Sequence, residues 1–114
     1  MELKAFERSA GRVFVVEVPE RLEVNISDKF RAEMNALVDG GNFQIVIDLK
    51  KTEFMDSSGL GALVSRIAVM RSNGGDVRLA SASQSVMNLL QVTHLDRVFK
   101  CFDDIESAVS SFSP

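Results

Sequence analysis

Apolar and polar residues alternate over two stretches at the start of the chain, Leu3 to Glu7 and Arg12 to Val18, and a period of two is that of a half-covered strand. Ser9-Ala10-Gly11 between them are small residues suited to a tight turn, so the pair reads as a hairpin. Pro19 has no N–H to give to a ladder and ends the second stretch, leaving Glu20 to Ile26 as a loop. The period then lengthens. Ser27 is placed to cap a helix whose apolar face is Phe30, Met34, Leu37 and Val38, and Gly40-Gly41 stops it.

Ile45-Val46-Ile47-Asp48-Leu49 is short, apolar and rich in β-branched side chains, as expected of a strand covered on both faces at the centre of a sheet. After Lys50 to Asp56 a helical stripe returns with Leu60, Leu63, Val64, Ile67 and Ala68, closed by Asn73-Gly74-Gly75. Val77 to Ala80 predicts another strand. Val86, Leu89 and Leu90 line a helix that begins at Ser83 or Ser85, and Val98 to Phe102 is the last strand. Asp103, with Glu106 three residues on, has the form of a capping box opening a helix with Ile105, Ala108, Val109 and Phe112 on its apolar face. The last five residues, Ser110 to Pro114, read as a fraying end.

The predicted order is ββαβαβαβα. Each strand after the hairpin is reached through a helix, which calls for right-handed crossovers and an α/β fold with a mixed, largely parallel sheet, an N-terminal hairpin and about four packed helices. At 114 residues, with neither repeat nor linker, the chain is expected to form one domain over 1–114.

Composition narrows the function classes. Thirteen basic against sixteen acidic residues leave a net charge of −3, without the basic excess that holds a phosphate backbone, so no direct nucleic-acid contact is expected. No apolar run nears the roughly 20 residues that span a bilayer, and Met1-Glu2-Leu3-Lys4 does not open a signal peptide. The expected location is the cytoplasm, with no membrane insertion. Cys101 is the only cysteine, expected as a small buried side chain, and His94 the only histidine, expected at the surface or a helix end. Neither a thiolate nor an imidazole cluster is available for a metal, and no cofactor is implied. Asp103-Asp104 read as helix-start charges. A serine hydrolase needs a base beside its nucleophile, and His94 is far along the chain with no Gly-x-Ser-x-Gly elbow, so the chain is not read as an enzyme.

Candidate chemistry concentrates in Phe54-Met55-Asp56-Ser57-Ser58-Gly59-Leu60-Gly61, where a strand passes into a helix. Such a loop lies at the carboxyl edge of an open α/β sheet, where partners dock, and Phe54 and Met55 are expected to be exposed there. A helix N-terminus offers free N–H groups and a positive dipole end to a phosphoryl group on Ser57, opposed by the like charge of Asp56. The same residues also serve a purely structural reading, in which Asp56, Ser57 or Ser58 caps the helix while Gly59 and Gly61 permit close packing. Two glycines at this spacing make neither a Walker loop nor a dinucleotide fingerprint.

The segment resembles the signature of the STAS family, the domain shared by bacterial anti-sigma-factor antagonists and the cytoplasmic tails of sulfate transporters. The resemblance extends to the strand Ile45 to Leu49, the Gly74-Gly75 turn and Thr93-His94-Leu95-Asp96. It implies that Ser57 is phosphorylated by an anti-sigma factor that is also an ATP-dependent serine kinase, with Ser58 the alternate acceptor. It further implies that the unphosphorylated protein binds that kinase and frees a sigma factor, that phosphorylation weakens the binding, and that a metal-dependent serine phosphatase restores it. The implied partner surface comprises Glu23, Met55, Asp56, Ser57, Ser58, Gly59, Leu60 and Gly61. One departure is Glu20-Arg21-Leu22-Glu23, where the family often has Gly-x-Leu-Asp. Charge is kept at Glu23, and loss of glycine at position 20 is expected to alter the path of the loop. The other reading within the family is an adaptor or scaffold subunit of a lipid-transport or stressosome complex.

Overall fold

A computed structural model of the chain describes residues 4–8 and 13–112. Its elements run β1 (Lys4–Arg8), β2 (Val13–Glu17), β3 (Arg21–Leu22), α1 (Val24–Asp39), β4 (Gln44–Asp48), β5 (Phe54–Met55), α2 (Ser57–Val64), α3 (Ile67–Ser72), β6 (Asp76–Ala80), α4 (Gln84–Val92), a 3-10 turn at Leu95–Arg97, β7 (Cys101–Phe102) and α5 (Ile105–Ser110). The hairpin turn expected at Ser9-Ala10-Gly11 lies outside the described residues.

Five strands form one sheet in the order β1-β2-β4-β6-β7. β1 pairs antiparallel with β2, with Phe6 opposite Val15, and the other three pairings are parallel, so the mixed, largely parallel sheet is as the sequence predicts. β4 is central, and its alternation divides the core. Ile45, Ile47 and the following Leu49 join the large cluster containing Phe30, Met34, Leu63, Met70 and Leu90 of the helices, while Val46 packs with Val13, Val15, Ala108 and Val109 on the α5 side. Each such side chain, fully withdrawn from water, contributes about 1.5–3 kcal/mol, which makes β4 the costliest strand to disturb.

Helix boundaries depart from the sequence reading where side chains find tertiary partners. α1 starts at Val24, three residues before the predicted cap. Its N-cap Glu23 makes no side-chain cap bond because its carboxylate is held by Arg21 at 2.7 Å, and Ser27 is buried one turn inside the helix. The single helix expected from Leu60 to Ala68 is broken at Ser65-Arg66. Ser65 Oγ donates back to the Ala62 carbonyl at 2.8 Å, and Arg66 leaves helical geometry and reaches Asn35 of α1 at 2.6 Å. The register therefore restarts, burying Ile67 and Met70 and leaving Ala68 exposed.

Ser83, not Ser85, caps α4, accepting from the Val86 N–H. The last strand is two residues rather than Val98 to Phe102: Val98 closes the 3-10 turn, and Phe99 is buried without ladder partners. α5 is capped by Asp104, which accepts from the Ser107 N–H at 2.7 Å, whereas the Asp103 carbonyl is tied to Ser81 Oγ. Cys101 is only half-buried, and burial pushes its thiol pKa up. His94 is exposed in the left-handed region at the start of the 3-10 turn, as a helix-end residue. Within the expected fraying end, residues 110–112 are held. Arg78 donates to Ser111 Oγ at 2.7 Å and stacks 4.0 Å from the Phe112 ring centroid.

Candidate functional site

Beyond the main sheet, β3 and β5 form a parallel pair, Arg21 opposite Phe54 and Leu22 opposite Met55. A two-residue strand is too short to show a period, so this pair was invisible in the pattern of apolar positions. It is fixed from below by Thr52, a buried residue whose hydroxyl faces the Pro19 and Val18 carbonyls at 3.0 and 3.2 Å. The Glu20 carbonyl accepts from the Glu53 and Phe54 N–H groups at 2.8 and 3.1 Å. Glu20 is not among the non-glycine residues with positive φ, so the backbone here does not require glycine.

The pair delivers the chain to Asp56, which is extended and caps α2 by accepting from the Gly59 N–H at 2.9 Å. Ser58 Oγ donates to the same carboxylate oxygen, and Ser27 Oγ of α1 lies 3.2 Å from Ser58 Oγ. A hydroxyl has one proton, and that of Ser58 goes to Asp56, so Ser27 is the donor to Ser58. The bond from Ser58, and after it the bond from Gly59, hold the Asp56 carboxyl below the usual carboxylate range. Ser57, the first residue of α2, is exposed, and its hydroxyl has no hydrogen-bond partner among the described residues. Capping and exposure thus fall to different residues: Asp56 caps, Ser58 braces the cap, and Ser57 faces solvent.

The two glycines of the segment also differ. A Cβ on Gly59 would lie 2.4 Å from the Leu22 carbonyl oxygen, so glycine at 59 is what lets α2 approach β3. A Cβ on Gly61 would meet only the Arg31 guanidinium, at 3.1 Å, which is the movable end of a long side chain. Gly59→Ala is therefore expected to cost about 1–3 kcal/mol. Gly61→Ala is expected to be neutral or to stabilise by up to about 1 kcal/mol through helix propensity. Urea unfolding of the two variants side by side checks this, and equal losses would contradict the geometry.

Of the predicted partner surface, Glu23, Asp56 and Ser57 are accessible and adjacent. Glu23, Arg21, Val24, Asn25, Ile26 and Asp56 line an open groove of ≈ 420 Å³. Met55 is not exposed as expected: its side chain turns into the core with 6% exposure, because Leu22 and Met55 share the inward face of the β3–β5 pair. Gly59 is likewise buried, and Leu60 and Gly61 are partly so. Phe54 is 40% exposed beneath the Arg21 guanidinium, 4.4 Å from its ring centroid, and Val24 is 59% exposed at the start of α1. Arg21, Val24 and Arg31 have no site role in the sequence reading, and Ser27 has only that of a helix cap. They reach the site through pairing and helix packing, which have no signal in local spacing.

Among the described residues no three His, Cys, Asp or Glu side chains converge on a metal-sized site, and no helix is long and apolar enough to cross a membrane.

A model of the family described as STAS domain matches residues 7–108. The anti-sigma F factor antagonist of Paenibacillus polymyxa is 28% identical over 99 residues, covering 86% of this chain and 85% of that protein. The anti-sigma-B factor antagonist of Bacillus subtilis is 28% identical over 80 residues, covering 70% and 72%. A solved anti-sigma-factor antagonist (STAS) domain protein from Planctomyces limnophilus superimposes with a TM-score of 0.86 at 25% identity, covering 98% of both chains.

Proposed function

The chain belongs to the STAS domain family, and from that premise we propose that it is an anti-sigma-factor antagonist in a partner-switching pathway. In this reading the unphosphorylated protein binds an anti-sigma factor that is also a serine kinase and so releases the sigma factor. Phosphorylation of Ser57 weakens that binding, and a serine phosphatase reverses it by hydrolysis. The observation that carries the reading is the division of labour at α2: Asp56 and Ser58 are committed to each other and to the cap, while the neighbouring Ser57 hydroxyl is exposed beside the groove.

The chemistry of transfer follows from the same arrangement. Ser57 Oγ attacks the γ-phosphorus of ATP, the new Oγ–P bond forms as the bond to the ADP oxygen breaks, and ADP leaves. The hydroxyl proton must go to a base. Asp56 is an ill-suited base, since its carboxylate already accepts from Ser58 and Gly59 and is held below the usual range. The base therefore belongs to the kinase, and this chain contributes an exposed nucleophile on a fixed helix end. The chain acts as substrate and ligand rather than as an enzyme.

Incubation with anti-sigma kinases of this class and labelled ATP tests the assignment. Wild type and Ser58→Ala are expected to take up label, and Ser57→Ala to remain unlabelled. Labelling of Ser57→Ala at the wild-type level would sink the choice of Ser57.

A further inference from the structure

α1 meets α2 and the residue that opens α3 along a polar seam with a nearly constant offset in sequence. Ser27 faces Ser58, Arg31 lies over Gly61, and Asn35 is bonded to Arg66. Ser27, Arg31 and Asn35 are spaced by four and therefore form one stripe of α1. Ser57 and Gly61 are also four apart, on one side of α2, so their Cβ positions are about 5–6 Å from each other. The Arg31 Nη2 atom is 3.1 Å from the place a Gly61 Cβ would take. The guanidinium thus stands about one helical turn along from the Ser57 hydroxyl, over a stretch of α2 that Gly61 leaves without a side chain.

Arg31 is also the uncommitted arginine among the described residues of the α1–α2 seam. Arg21 is tied to Glu23 at 2.7 Å and stacked on Phe54, and Arg66 is bonded to Asn35. Arg71 and Arg78 both pair with Asp76. Arg31 has no hydrogen bond or ion pair to any described residue.

We infer that Arg31 is the intramolecular receptor for the phosphoryl group on Ser57, swinging from its place over Gly61 to clamp the phosphate against the start of α2. The inference rests on the reading of Ser57 as the modified residue. A planar guanidinium matches phosphate oxygens in pairs, and such a contact supplies charge-assisted hydrogen bonds that an exposed phosphoserine otherwise takes from water. The clamp draws the new charge toward the α1–α2 seam and away from the Arg21–Glu23 groove. It makes the phosphorylated state a second defined surface rather than the first surface with a loose anion on it.

The test needs no kinase. Phosphoserine is installed at position 57 of the full chain during synthesis, and its second ionisation is followed by phosphorus NMR. Free phosphoserine titrates near about 6, and a clamped dianion is expected below that. Asp56 at the cap opposes the shift, as does Glu23 from the turn after β3, while Arg21 there and the N–H groups of α2 favour it. All of these are unchanged when only Arg31 is replaced. Arg31→Gln is therefore expected to raise the midpoint by at least about half a unit. Arg31→Lys should recover part of the shift, and Arg66→Gln, one turn further along the seam, should leave the midpoint at the wild-type value. Gly61→Ala, which crowds the guanidinium without removing it, should fall between wild type and Arg31→Gln. Equal midpoints in wild type and Arg31→Gln overturn the clamp, as does an equal shift in Arg66→Gln. Because the phosphoserine is placed synthetically, loss of the clamp leaves the kinase labelling of Ser57 standing, and failure of that labelling leaves the titration readable.

Discussion

Asp76→Ala is expected to lower the unfolding free energy by about 3–5 kcal/mol, much of the roughly 5–15 kcal/mol of a typical domain. The carboxylate is only 8% exposed at the start of β6 and accepts from Arg71 at 2.8 Å, Arg78 at 3.1 Å and the Val77 N–H at 2.9 Å. The two arginines are not equivalent. Arg78 is 13% exposed and lies among Phe112 and Ser111, so removing Asp76 strands a nearly buried charge and loosens the residues after α5. Arg71 is 45% exposed and also donates to the Val98 carbonyl, so Arg71→Ala is expected to cost about 1 kcal/mol or less of ion-pair energy. Thermal unfolding reads the difference at about 4–8 °C per kcal/mol.

Acid titration gives this prediction a sign. Burial on its own raises the Asp76 pKa, but the bonds from Arg71 and Arg78 and the Val77 N–H outweigh it and leave the group below its ordinary value. A depressed folded-state pKa means that the stabilisation is complete above the unfolded value of about 3.9 and is lost as pH falls through the folded one. Wild type is thus expected to lose stability more steeply than Asp76→Ala below about pH 4. Parallel acid limbs, or a loss no larger than that of Arg71→Ala, would show that the cluster is a surface feature and not a buried anchor.

The contrast between Asp76 and Asp56 shows what the sequence can carry. The long elements were legible because each buries one face: the β4 run and the Phe30, Met34, Leu37 stripe both enter the core where their periods place them. The candidate site stands out in the sequence as a segment, since acid, hydroxyls and glycines cluster in it, but the separate positions its residues take in the fold do not. Ser27 has the composition of a cap and the position of a brace, because whether it meets a free N–H or Ser58 depends on a helix 31 residues away. Met55 beside an exposed Phe54 looked equally accessible until the β3–β5 pair, two residues long, set which of them faces inward. Asp76 was passed over altogether. It precedes the predicted strand at Val77 and looks like a solvated end, and only folding brings Arg71 and Arg78 onto it.

The largest functional effect is expected at Ser57. On the proposed function, stoichiometric phosphorylation there lowers affinity for the anti-sigma kinase by several kcal/mol, about a hundredfold or more, measured by calorimetry against the unmodified chain. The surface around the hydroxyl is of mixed character, with Val24 and Phe54 exposed beside the Arg21–Glu23 pair and the ionised Asp56. A partner fitted to it faces about 1.5–2 additional negative charges, together with the bulk of the phosphate. Ionic strength separates the two causes. Screening shortens from about 10 Å at 0.1 M salt to about 3 Å at 1 M, so an electrostatic loss shrinks in salt while a steric one persists. Ser57→Asp, with a single charge on a shorter side chain, is expected to lose less affinity than phosphoserine, and Ser57→Ala to bind like wild type. The α1–α2 seam adds a further discrimination. If Arg31 holds the phosphate, Arg31→Gln leaves the affinity of the unmodified chain near the wild-type value but changes the penalty for phosphorylation and its salt dependence. An unchanged penalty places the switch in local bulk and charge alone. Unimpaired binding by the fully phosphorylated chain would remove Ser57 from the switch.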